Sequence, residues 1–154
     1  MEAVIFIGLP ASGKSSFYKE RFLHTHVRTS LDLLKTRHRE RRFLELCLTT
    51  DQRFVIDNMN LTRLERSGYI GAAKAKRFAI TDYYFQSIVE DCLRRNADRP
   101  DGACVPAVAI FAAAKKLELP RLNEGFTKLT YVRLDNDGFA LEEWRDGRML
   151  HGCP

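Results

Sequence analysis

The chain has 154 residues, 45% of them hydrophobic, and a formal net charge of +5. That length suits one domain over residues 1–154 with a full-sized core, and no apolar run reaches the ~18 residues that a membrane-crossing helix needs. The four cysteines, Cys47, Cys92, Cys104 and Cys153, lack C-x-x-C or cysteine–histidine zinc spacing, so no structural metal is expected, His151 and Cys153 in the tail included. Free thiols and a start that runs from Met1 straight into an apolar segment predict a cytoplasmic protein. The basic balance, with a pI near 9.2, favours a polyanionic partner.

In chain order, Ala3 to Ile7 is a continuous apolar run, as in a parallel strand buried on both faces. Gly8-Leu9-Pro10-Ala11-Ser12-Gly13-Lys14-Ser15 follows, the pattern G-x-x-x-x-G-K-S. Between a strand and a helix, that pattern reads as a phosphate-binding P-loop. The glycines let the backbone curl so that N–H groups point at phosphate oxygens, and the next helix presents its positive end to the same charge. Gly8, Pro10, Ala11, Ser12, Gly13, Lys14, Ser15 and Ser16 are the expected cradle for ATP. Lys14 is expected to reach the β- and γ-phosphates, and the Ser15 hydroxyl to ligate Mg²⁺.

Lys14 to Leu23 reads as the helix behind the loop, and Val27 to Thr29 as a short second strand. Leu31 to Leu48 reads as one long helix, and Arg53 to Asp57 as a third strand. Thr62-Arg63-Leu64-Glu65 is a capping box that opens a helix toward Lys76. Phe78 to Phe85 is a fourth strand, and Ser87 to Asn96 a helix. Ala97 to Val105 is a loop, and Pro106 opens a further helix that ends near Lys115 and Lys116. Gly125 to Leu134 carries the last strand, and the tail from Asp135 is given no element, although Trp144 is expected to pack back. Alternating strands and helices predict an α/β P-loop NTPase fold, with a parallel sheet of about five strands flanked by helices.

The active site of such a sheet lies at the carboxyl ends of its strands. Asp57 closes the third strand after Phe54-Val55-Ile56, where an aspartate supports Mg²⁺ and its waters. Asp32 follows the second strand. It can orient an acceptor hydroxyl and take its proton, or stabilise a helix N-terminus, and the two roles are compatible. Arg94 to Pro100 leaves a helix for a loop, so Arg95 or Arg99 can fold over a transferring phosphate, or else end a solvated basic helix. In the basic run from Lys35 to Arg42, Lys35 and Arg37 lie nearest Asp32 and suit an acceptor carrying phosphates.

These elements together resemble the kinase domain of polynucleotide 5′-kinases. The shared segments are the P-loop, Asp32, Val55-Ile56-Asp57-Asn58-Met59-Asn60, Arg95-Asn96-Ala97-Asp98-Arg99, Val105-Pro106, Leu119-Pro120 and Glu124-Gly125-Phe126. The resemblance implies that Asp32 is the general base and that Lys14 and Arg99 stabilise the γ-phosphoryl group in flight. It implies that Arg95 is a lid arginine on ATP, Ser15 the metal ligand, and Asp57 and Asn58 neighbours of the acceptor. The phage member carries arginine three positions after the base; Lys35 stands there in this chain and lacks the planar fork. The expected activity is transfer of the γ-phosphate of ATP, with Mg²⁺, to a hydroxyl, foremost the 5′-OH of DNA or RNA. A small-molecule acceptor (sugar, nucleoside or antibiotic) and a slow nucleotide-dependent switch are the alternatives.

Overall fold

A computed structural model describes residues 1–147, so Cys153 and His151 lie outside the described residues. The strands are β1 (Glu2–Ile7), β2 (Val27–Thr29), β3 (Phe54–Ile56), β4 (Ala79–Phe85), β5 (Lys128–Asp135) and β6 (Gly138–Glu143). They form one sheet in the order β2-β3-β1-β4-β5-β6. The first five are parallel and β6 is antiparallel. The sheet therefore exceeds the expected five strands by an edge strand drawn from the tail. Its cause is a tight turn at Asp135-Asn136-Asp137-Gly138, where Asp137 N–H donates to Asp135 Oδ1 at 2.9 Å and Gly138 takes φ 109°.

The helices are α1 (Lys14–Arg21), α2 (Leu31–Leu34), α3 (Arg37–Thr49), α4 (Arg63–Ala75), α5 (Val89–Ala97) and α6 (Ala107–Lys116). The single helix expected over Leu31–Leu48 is thus two. Ser30 caps α2 by accepting from Asp32 N–H at 3.2 Å, and Thr36 caps α3 by accepting from Arg39 N–H at 3.2 Å. Between them Lys35 takes φ 70°, ψ −32°, a conformation few side chains adopt. Two caps six residues apart outweigh the helical propensity of the segment.

The apolar run of β1 fixes where the core sits. Ile5 and Ile7 face one layer with Cys47 of α3 and Ile70 of α4. Val4 and Phe6 face the other with Phe17 and Tyr18 of α1. A smaller cluster of Leu9, Leu61, Cys92, Ile110 and Ala113 joins α5 and α6 to the P-loop. Trp144, just past β6, is buried against Tyr84 and Tyr131, with ring centroids 5.2 and 6.3 Å away. Arg66 of α4 is fully buried and forms a two-pronged ion pair with Glu124, at 2.9 and 3.2 Å. Among the described residues no helix is long and apolar enough to cross a membrane.

Candidate active site

The loop from Gly8 to Gly13 leaves the carboxyl end of β1 and enters α1 at Lys14. A side chain at Gly8 would meet Ser12 Oγ at 2.7 Å and Phe85 Cβ at 3.0 Å, so the backbone packs there as only glycine allows. Gly13 takes φ 103° and lies under the Phe139 ring, 3.1 Å from where a Cβ would stand. Strand β6, absent from the sequence reading, therefore roofs the P-loop.

Neighbouring segments hold the loop in shape. Leu9 N–H donates to Ser87 Oγ at 3.1 Å, and Gly8 N–H to the Met59 carbonyl at 3.1 Å. Asn60, in a left-handed conformation at φ 50°, donates to the Phe6 carbonyl at 2.7 Å.

Lys14 folds back on its own loop. Its Nζ donates to the Gly8 and Leu9 carbonyls at 2.9 and 2.7 Å. Burial pushes its pKa down to about 8, a shift that Asp57 opposes and Arg99 reinforces; Asp32 opposes it more weakly. Asp57, Arg99 and Asp32, far apart in sequence, thus all act electrostatically on the Lys14 ammonium group.

Ser15 and Asp57 meet directly, the hydroxyl donating to Asp57 Oδ2 at 3.1 Å. Arg28 of β2, which the sequence reading passed over, donates through Nε to that carboxylate oxygen at 2.7 Å and through Nη2 to Ser15 Oγ at 2.9 Å. Two hard oxygen donors beside a helix N-terminus fit Mg²⁺, which takes one or two protein oxygens and completes its shell with phosphate and water. The guanidinium beside both oxygens shows that they already gather positive charge. No set of three or more His, Cys, Asp or Glu side chains gathers around a common metal position among the described residues.

Asp32 lies exposed in the first turn of α2. That turn is tied down from the segment after β3 and from α3: Leu31 N–H donates to Asn58 Oδ1 at 2.9 Å, and Asn58 Nδ2 donates to Glu40 Oε2 at 2.8 Å. Both ends of the Asn58 amide thus hold α2 in place. Glu40, buried on α3, also accepts from the Tyr69 hydroxyl at 2.6 Å and from Arg37 at 3.1 Å. Burial, helped by Glu40, pushes the Tyr69 phenol up to about 12. Arg37 further donates to Tyr69, so part of its fork faces the protein, while Lys35 is exposed beside Asp32.

Helices α5 and α6, joined by the segment that carries Arg99, pack beside the P-loop. Arg95 donates to the Ala11 carbonyl of the P-loop at 3.3 Å and to the Leu134 carbonyl at 3.4 Å. Arg99 is half-buried and donates to the Ala103 carbonyl at 3.3 Å. Asn96 staples the intervening loop, donating to the Val105 carbonyl at 2.7 Å and accepting from Val105 N–H at 3.0 Å. A buried asparagine between two arginines of R-N-x-x-R was the available signal for that staple.

The mostly parallel sheet flanked by helices, with the P-loop between β1 and α1, is the fold that the chain shares with the solved kinase structures it resembles. The chain resembles the bifunctional polynucleotide phosphatase/kinase of Schizosaccharomyces pombe, with 27% identity over 135 residues, or 85% of this chain and 33% of that protein. It spans about a third of that relative's length. A gluconokinase from Sinorhizobium meliloti 1021 matches with TM-score 0.58 and 18% identity over 86% of this chain and 82% of its own. Kti12 of Chaetomium thermophilum in complex with ADP-AlF3 matches with TM-score 0.61 and 17% identity over 88% and 90% of the two chains. No protein-family profile matches.

Proposed function

We propose that the chain is an ATP-dependent phosphotransferase acting on a hydroxyl, foremost the 5′-OH end of DNA or RNA. The observation that carries this reading is the P-loop between β1 and α1, with Ser15 bonded to Asp57 at 3.1 Å and, in the turn that Asn58 ties down, Asp32 exposed and free of any ion pair among the described residues. A switch that only binds nucleotide has no need of an exposed carboxylate opposite its phosphate loop. The 27% identity with a polynucleotide phosphatase/kinase favours a nucleic-acid end as acceptor.

In this reading ATP lies on the P-loop, and Lys14 leaves its carbonyl partners for the phosphates. Asp32 takes the proton of the acceptor hydroxyl as that oxygen bonds to the γ-phosphorus. The bond to the β-phosphate oxygen breaks, and ADP leaves. Lys14 and Arg99 balance the charge of the moving phosphoryl group, and Arg95 clasps the nucleotide from the lid. Ser15 and Asp57 would hold Mg²⁺, which neutralises phosphate charge when bound. Lys35 and Arg37 face the acceptor.

The test incubates the protein with γ-labelled ATP, Mg²⁺ and a panel of 5′-OH oligonucleotides, nucleosides and sugars. Label on the oligonucleotides is the expected result. Asp32→Asn should lower transfer by about 10²–10⁴-fold and leave ATP binding nearly intact; unchanged transfer excludes Asp32 as the base. The likeness to a gluconokinase supports a second reading, a small-molecule acceptor. Label on a sugar or nucleoside alone would select it. So would an acceptor KM insensitive to salt, because phosphate contacts weaken as salt rises.

A further inference from the structure

Arg28 is a basic side chain built into the metal side of the candidate site. It stands on the edge strand β2, and its guanidinium carbon lies 5.9 Å from the Tyr18 ring centroid. Nε and Nη2 both lie 2.7 Å from Asp57 Oδ2, and Nη2 donates to Ser15 Oγ at 2.9 Å. Side-chain exposure is 23% for Arg28 and 2% for Asp57, so water screens the pair weakly.

A divalent ion on this pair would need the oxygen lone pairs that these donors occupy. The guanidinium does not deprotonate in proteins, so it can yield only by moving. A triphosphate on the P-loop would offer it other oxygens and add the negative charge that a second cation requires.

We propose that Arg28 is a resident cation that keeps free divalent metal off Ser15 and Asp57 and admits it only together with a nucleoside triphosphate. This role deepens the proposed function and rests on it, since Ser15 and Asp57 must form the metal side of the site. It makes metal loading and nucleotide loading one event.

The experiment titrates Mn²⁺, followed by its paramagnetic resonance signal, into the wild type, Arg28→Gln and Arg28→Lys, each with and without a non-hydrolysable ATP analogue. Without nucleotide, Arg28→Gln should bind Mn²⁺ at least about tenfold more tightly than the wild type. Arg28→Lys keeps the charge with fewer donors and should fall between them; it supplies the comparison with the wild type if the glutamine variant does not fold. With the analogue present the proteins should converge. The gained affinity should vanish in the Arg28→Gln, Asp57→Asn double variant. Equal affinities without nucleotide, or a gain that survives the double change, overturn the role of Arg28 alone. Absence of Mn²⁺ binding in every protein even with the analogue overturns the metal-side reading together with the inference.

Discussion

Lys14 shows how one side chain couples the P-loop to pH. Burial holds its ammonium down to about pKa 8, and a bound triphosphate requires the charged form. Binding therefore takes up a proton wherever the free side chain is already neutral. ATP affinity should hold steady below pH 8 and weaken above it, approaching tenfold per pH unit. Calorimetry in two buffers of different ionisation heat checks this: proton uptake should be near zero at pH 7 and rise through pH 8.5. At this scale the P-loop and Asp57 were legible because their signals are local. Arg28 was not, because an arginine in a short strand reads as an exposed edge residue and its partners lie 13 and 29 positions away. Glu40 and Tyr69 escaped for the same reason; nothing in helical spacing says that a glutamate on one helix caps a network reaching another.

The break between α2 and α3 is the element that most changes the site. A continuous helix would carry Lys35 around its axis, whereas the break leaves it exposed beside Asp32 with positive φ. Such a conformation costs about 1–3 kcal/mol and clusters at functional sites. Lys35→Gly should remove much of that cost and raise the melting temperature. The same change should raise KM for a phosphate-bearing acceptor and reduce the slope of log KM against log salt by about one charge. Thermal melts and a salt series measure the two effects separately; a fall in both stability and acceptor affinity would mean that the lysine holds the turn together. The segment has no glycine or proline to mark the stop, so it reads as one helix in sequence. Strand β6 was missed differently: its residues are half-buried or exposed and their alternation is weak, although Asp137-Gly138 was a turn signal in plain view.

For the molecule as a whole, the unusual feature is Asp82 in the middle of the sheet. It pairs with Ile5 across β1 and β4, is fully buried, and among the described residues makes no hydrogen bond of good geometry through either carboxyl oxygen. Burial raises its pKa well above the usual carboxylate range; Arg66 opposes the shift and Glu124 adds to it. The folded state thus keeps a proton that the unfolded chain releases near pH 4. Stability from this group is complete below that value and is lost as pH rises toward the folded pKa. Asp82→Asn should flatten the decline, so urea midpoints compared at pH 5 and pH 8 should differ less in the variant than in the wild type. Four consecutive residues carry a different consequence. Asp57 meets Ser15, Asn58 grips the start of α2, the Met59 carbonyl receives Gly8, and Asn60 reaches Phe6. That segment is a caliper whose jaws are the phosphate loop and the turn that bears Asp32. In the proposed reaction the reach from donor to acceptor is thereby pre-set before either substrate arrives, which lowers the entropy that the encounter must lose. Through the same caliper, whatever one substrate gains in affinity from the other must be returned in equal measure.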